Sequence, residues 1–549
     1  MDRDRMFTPF MVDSLIADGQ TIVIYEDMVL RLDGWINKHP GGRLAILHMV
    51  GRDATDEMKA YHSAATLSTM KCYRIGQKQG SWINRTPPIR GGVFYKEVID
   101  SPSSSDTDGE TTELEDNTDG ISQITSISSR SDVDVPEKGL RHRCPTPQTP
   151  CHERPVTKVV NAAVKREVDQ DLDTYPSLDP LVQRDIARKY QALHQRVKDD
   201  KLYECRYIEY GKEMVRYSTL FALFGFFLYH HWYITSAVFL GLFWHQIMFT
   251  AHDAGHLAIT SHFVTDTLIG MFIADFCCGL SIGWWKSSHN VHHLVTNYPE
   301  HDPDIQNVPL FATCTTFFKS LHSTYYNFTF VWDAAADFLV PYQKYLYYPV
   351  MGIARFNLYL LSWLHVLSDK STALGGSKAW WIRPTEISFM LCYWFLFGYL
   401  LLWKTLPDWT TRVIFVLVSH IVTMPLHVQI TLSHWGMSTV DLGESESFPQ
   451  RQLRTTMDVD CPAWLDWIHG GLQFQAVHHL FPRVPRHNLR KAQFLIREFC
   501  QDTGIPYSIL GFTNGNQKVL RRLDDISNQL NVLLECQKHM AATGESGLH

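Results

Sequence analysis

Three groups of closely spaced histidines stand beside apolar runs in this sequence. They are His252 and His256 in HDAGH, His289, His292 and His293 in HNVHH, and His478 and His479 in QAVHH, the last group opened by Gln475. Imidazoles at i and i+4, or at i, i+3 and i+4, share one face of a helix and can converge on a metal. A lone histidine is ordinarily a hydrogen-bonded structural residue, but three such groups together point to ligation. The set is too large for one tetrahedral zinc and suits a cluster of ions. The Glu-x-x-His pairs of soluble di-iron bundles are absent. Asp253, Asp302 and Asp304 are candidates to orient the ring nitrogens that face away from metal.

A second constellation lies near the amino terminus, in WINKHPGG at 35–42 and GRDATDEMKAYHS at 51–63. Two axial imidazoles from opposite sides keep a haem iron six-coordinate and closed to oxygen, which suits electron transfer. His39 and His62, 23 residues apart, can supply them from separate elements. The Pro-Gly-Gly turn after His39 lets backbone approach the porphyrin closely. His48, between the two, reads as a surface residue and not a ligand. Over about 75 residues this part resembles cytochrome b5.

The elements that must position these residues fall into distinct stretches. At 549 residues the chain needs two or more units. Its mild net charge of −7, without a basic run, excludes nucleic acid as a partner. Eleven scattered cysteines with no C-x-x-C argue against a zinc module or disulfide framework and suit a reducing compartment. The opening MDRDRMFTPF is too polar for a secretory segment, so later apolar runs are expected to direct insertion. Residues 1–95 read as the haem-binding domain and 96–160 as a disordered tether, because SPSSSDTDGETTELEDNTDG has almost nothing large to bury. Residues 161–215 read as amphipathic cytosolic helices, 216–510 as a membrane domain and 511–549 as a carboxy-terminal tail.

Four apolar runs, 217–231, 233–251, 385–403 and 412–433, approach the ~20 residues that cross a hydrocarbon core. The run 263–283 is broken by Asp266 and Asp275, and 345–368 by Arg355, Asn357 and His365, so both are expected to be interfacial or re-entrant. Two crossing hairpins then bring the first and third histidine groups to the side that holds the haem domain. The fold class expected is an α+β cytochrome b5-like domain followed by an all-α membrane domain with four main transmembrane helices plus cytosolic helices.

From about 245 to 485 the three histidine boxes resemble those of the membrane fatty acyl desaturases. The b5-like amino terminus and Gln475 at the head of the third box are similar to the front-end subgroup. The resemblance covers the chain except the tether and about the last 45 residues. Within that subgroup TPFMVDSLIADGQTIVIYEDMVLRLDGWINKHPGG and PEHDPDIQ look most like fungal sphingolipid delta-8 desaturases. The resemblance implies a di-iron site held by His252, His256, His289, His292, His293, Gln475, His478 and His479, with a further ligand, His434, in TLSHW. Ile430 stands where related acyl desaturases place an asparagine, which puts a water-bridging role there in doubt, and His427 reads as structural.

The implied activity is oxygen-dependent desaturation of a ceramide or long-chain base. A delta-6 or delta-5 front-end acyl desaturase, a lipid hydroxylase and a non-catalytic membrane haem protein are the alternatives. Implied cofactors are haem b and two iron ions, with dioxygen as co-substrate. No G-x-G-x-x-G loop is present, so electrons are expected from NADH through a separate cytochrome b5 reductase. The expected setting is the endoplasmic reticulum membrane, with haem domain and boxes cytosolic.

Overall fold

The computed structural model describes residues 3–96, 155–368 and 379–543; the expected tether lies outside the described residues except its last few, which begin the helix Pro155–Thr174. In the amino-terminal domain the β-branched run TIVIY makes a strand, as its composition favours. Four strands, β1 (Met6–Phe7), β2 (Ile22–Tyr25), β3 (Met28–Arg31) and β4 (Arg74–Lys78), form a sheet in the order β1-β4-β3-β2. β1 and β4 are parallel and the other pairs antiparallel. Strand β2 is buried on both faces. Ile22 and Ile24 pack with Val12 and Ile16 of the first helix, and Val23 and Tyr25 pack with Ile36 and Met58 on the haem side.

Among the described residues, four helical segments of the membrane domain are long and apolar enough to cross a bilayer: Tyr233–Gly255, Ala334–Leu367, Ile382–Thr405 and Trp409–Leu432. Three coincide with expected spans. The fourth expected span, 217–231, is the distal part of the helix Tyr207–Tyr229, whose first turns carry Glu209, Lys212, Glu213 and Arg216 and dilute its apolar character. That helix pairs antiparallel with Tyr233–Gly255, Ser236 Oγ donating to Phe224 O at 2.9 Å and Tyr217 meeting Thr250 at 3.0 Å. Phe221 and Phe226 stay more than half exposed, a surface suited to lipid.

The stretch 345–368, expected at the interface, lies in a segment of crossing length because its polar residues are satisfied inside the protein. Arg355 is 1% exposed. Its guanidinium sits 4.3 Å from the Trp244 ring centroid and donates to Tyr359 Oη and Cys278 O at 2.9 and 2.8 Å. Tyr347 meets Thr431, three residues before His434, at 2.7 Å, and Ser362 Oγ accepts from Ser281 N, at the head of the second-box helix, at 3.0 Å. The run 263–283 belongs to a pair of helices, Phe263–Cys277 and Ile282–Leu294, bent by 117° at their break.

The carboxy-terminal residues, expected as a tail, form the helix Phe512–Thr543. Val519, Leu523, Ile526, Leu530 and Leu533 recur at helical spacing and enter the largest buried cluster beside Trp435 and Tyr347. Each such side chain contributes about 1.5–3 kcal/mol on burial.

Candidate metal centre and haem site

The first-box helix, Tyr233–Gly255, carries His252 in its last turn and His256 at its C-cap. A Cβ on Gly255 would lie 2.1 Å from Trp285 Cζ3, so only glycine admits the second-box helix here. Trp285 stacks on His289 at 4.3 Å and meets His252 and His256 at 5.3 Å each. The second-box helix, Ile282–Leu294, starts at the break, where its amide groups need acceptors. Asp275 accepts from Ile282 N, Glu386 from Gly283 N and the Ser281 hydroxyl, each at 2.8 Å, and Ser281 Oγ from Trp284 N at 2.9 Å. Asp458 does the same for the third-box helix Gln475–Leu480, accepting from Ala476 N at 2.8 Å. Two of the acids in these caps, Asp275 and Glu386, lie within apolar helical segments; they hold the second box in place.

These elements gather the histidines into two groups. His252, His256, His289 and His478 form one, and His292, His434 and His479 the other, with ligand atoms inside each group within 4.8 Å of one another. Two nitrogens on one ion at about 2 Å lie at most about 4 Å apart, so each group closes on an ion with small movements. His293 sits between them, its ring 4.1 Å from His479, 4.8 Å from His478 and 4.9 Å from His256.

The chemistry of the donors fits metal. Nε2 of His252, His256, His478 and His479 and both nitrogens of His434 are buried and have no hydrogen-bond partner among the described residues. Burial holds His434, His478 and His479 well below the ordinary imidazole range, so each keeps a free lone pair at neutral pH; the neighbouring imidazoles add to the effect. Their orientations are fixed from behind. His292 Nδ1 donates to Asp302 at 2.8 Å, with Asp304 farther off at 3.8 Å. Gln452 accepts from His479 Nδ1 at 2.9 Å and donates to His293 O at 2.9 Å. Such partners fix tautomer and ring angle.

Asp253 departs from expectation. It bonds Tyr210, and Arg486 at 3.1 Å, leaving His252 Nδ1 3.7 Å away, because the buried guanidinium is the stronger partner for its carboxylate. His427 donates to Met351 O at 3.0 Å, and Ile430 is 39% exposed. Gln452 and the helix-capping acids are not legible in the sequence, because a glutamine in an amphipathic RQLR stretch gives no spacing signal until the chain folds.

Gln475 is 4% exposed and lies one turn before His478 and His479. Gln475→Ile and Gln475→Ala are expected to abolish product with both following histidines intact, and Gln475→His to keep iron with altered activity. Retention of more than about half the product by Gln475→Ile, with unchanged iron, removes Gln475 from the site.

In the haem domain His39 follows the turn Ile36–Lys38 and His62 C-caps the helix Thr55–Tyr61. Their rings face across 5.9 Å between centroids. Each Nδ1 donates to a backbone carbonyl, His39 to Gly42 O at 2.9 Å and His62 to Met58 O at 3.0 Å, which leaves each Nε2 lone pair free. Two imidazoles bonded at about 2 Å from opposite sides of one iron require a gap of this size. A Cβ on Gly41 would lie 2.8 Å from His39 Cε1, so this glycine lets the ring sit against backbone. Burial holds His39 below its ordinary range and lowers His62 to about 3, so both are neutral donors. His48, expected at the surface, is fully buried where this domain meets the rest of the chain, accepting from Arg90 at 3.3 Å and lying against His301.

Residues 218–511 match the fatty acid desaturase family and residues 12–79 the cytochrome b5-like heme/steroid binding domain. The chain is 48% identical over 555 residues to the delta 8-(E)-sphingolipid desaturase of Emericella nidulans, covering 100% of this chain and 99% of that one. It is 45% identical to the protein of the same name from Candida albicans, covering 97% of this chain and 98% of that one. Its likeness to the delta(8)-fatty-acid desaturase of Helianthus annuus, 40% identical, spans 53% of this chain and 62% of that one.

Proposed function

The chain belongs to the fatty acid desaturase family, in the form with a fused cytochrome b5-like domain, and from that premise we propose that it introduces a trans double bond at carbon 8 of a sphingolipid long-chain base. The observation that carries the reading is end-to-end similarity, through both domains, to proteins named for that activity. The two histidine groups supply a site of the right composition.

We assign His252, His256, His289, His292, His293, His434, Gln475, His478 and His479 to two irons, and His39 and His62 to haem. Iron supplies dioxygen activation and removal of hydrogen from unactivated methylenes. The chain's own residues hold that centre and keep it dry. Asp302 and Gln452 fix the His292 and His479 rings. Phe249, Leu426 and Leu472 form a buried apolar cluster just before the first and third boxes, which helps to exclude water from the histidines. Neutral imidazoles leave the site cationic, so it attracts electrons.

The substrate carrier is proposed to be ceramide or the free base, and the electron source NADH through a cytochrome b5 reductase. The proposed setting is the endoplasmic reticulum membrane with haem domain and boxes cytosolic. The haem domain's contact with the second-box helix supports placing both on one side. Expression in a yeast that lacks the activity, followed by lipid profiling, is expected to yield delta-8 unsaturated long-chain bases. Delta-5 or delta-6 fatty acids, or hydroxylated bases alone, would overturn the assignment.

A further inference from the structure

Both ligand-bearing loops of the haem domain touch one element of the membrane domain, the helix Ile282–Leu294, at positions flanking its histidines. Tyr61, covalently adjacent to His62, donates its hydroxyl to His293 O at 3.3 Å. Its ring meets the His293 ring edge-on at 5.9 Å. On the other side Asn290, between His289 and His292, donates to Gly41 O, two residues beyond His39, at 3.4 Å. Leu294 packs into the apolar cluster that surrounds the haem ligands. Arg52 pairs with Glu444, Arg90 lies 3.9 Å from the same carboxylate, and Asn84 donates to Glu444 O at 3.2 Å, clamping the domain at its rim.

We propose that this docked arrangement is the electron-transfer state, and that Tyr61 is the positioning residue through which the electron leaves the haem for the metal centre at His293. The inference rests on the assignments of haem to His39 and His62 and of iron to the boxes. Desaturation removes two hydrogens from the substrate and reduces one dioxygen to two waters, which takes two further electrons and two protons. The haem carries one electron at a time, so ferrous haem is oxidised to ferric twice per double bond, each time reducing the metal centre by one electron. The upstream donor, a flavin- or pyridine-nucleotide-linked reductase, restores it between steps.

A chain of covalent bonds and one hydrogen bond carries electronic coupling better than a gap of the same length. From the His62 imidazole to the His293 imidazole the route through Tyr61 has one non-covalent step. A second route, from His39 through Gly41 and Asn290 to His289, also has one, but it crosses more backbone and a longer contact, 3.4 Å. Phe448 packs edge-on against the Tyr61 ring at 6.5 Å and keeps it from swinging away.

The test uses the full-length, haem- and iron-loaded protein in detergent or nanodiscs. Haem is reduced under anaerobic conditions, mixed with substrate and oxygen, and its reoxidation followed by stopped-flow absorbance. Tyr61→Ala is expected to slow that phase about tenfold, an increase of about 1.4 kcal/mol in the barrier, and Tyr61→Phe to slow it to a smaller extent. Haem spectrum, midpoint potential and iron content are expected to match the parent. Salt separates the conduit from simple undocking. Loss of docking makes the slowing grow with ionic strength as the Glu444 clamp is screened, whereas a conduit slows the phase by the same factor at every salt level. Unchanged reoxidation in Tyr61→Ala overturns the proposal, as does a slowing reproduced by Glu444→Gln and abolished at low salt. Missing haem or iron in the parent protein itself marks failure of the site assignments instead.

Discussion

Alanine at His434 or at His478, one from each histidine group, is expected to lower product by at least about 100-fold and to reduce bound iron. The His293 ring lies between the two groups, 4.1 Å from His479 and 4.8 Å from His478. His434 has both ring nitrogens buried without a partner among the described residues, an arrangement that costs about 1–3 kcal/mol per unsatisfied group unless a metal takes it up. His427, on the preceding helix, is the internal control. It donates through Nδ1 to Met351 O and lies outside both groups, although its Nε2 is also buried without a partner among the described residues, so His427→Ala is expected to keep iron and most of the activity. Iron by elemental analysis and product by lipid profiling check the pair. Normal iron and product in His434→Ala would remove it from the centre.

The second large effect is expected at the haem. His39→Ala and His62→Ala should each convert a six-coordinate low-spin spectrum to a high-spin or haem-free one and lower product by at least about 100-fold, with boxed iron unchanged. The separation of outcomes follows from the fold. The haem ligands sit on loops over the sheet β1-β4-β3-β2, whose strands share no residues with the histidine boxes. Full activity in His39→Ala, without any added carrier, would show that the fused domain is not the electron donor. Supplying separate reduced cytochrome b5 to the variant distinguishes a lost donor from a damaged membrane domain.

The sequence by itself determined the chemistry. Histidines at i, i+3 and i+4 lie on the same side of a helix, the latter two within about 60° of the first, so HDAGH, HNVHH and QAVHH are readable as ligand groups. HPGG with a second histidine 23 residues on carried the haem site in the same way. The apolar stripe Val519, Leu523, Ile526, Leu530 and Leu533 was also present to be read; it is a helical face, although the segment was expected as a tail.

Only the tertiary structure decided which histidines lie together and what stands behind them. His292 and His289 belong to different groups although three residues separate them, because that step around a helix turns the two rings toward different neighbours. Asp302 reached His292 and Asp253 did not reach His252, because a buried arginine, 233 positions along the chain from Asp253, claimed its carboxylate. Arg355 looked like an interruption of a membrane segment until Trp244, Tyr359 and Cys278 O enclosed it. Local spacing fixes the direction in which a side chain leaves its own helix. What it meets depends on elements remote in sequence, and charges inside an apolar domain are placed by whichever partner satisfies them best.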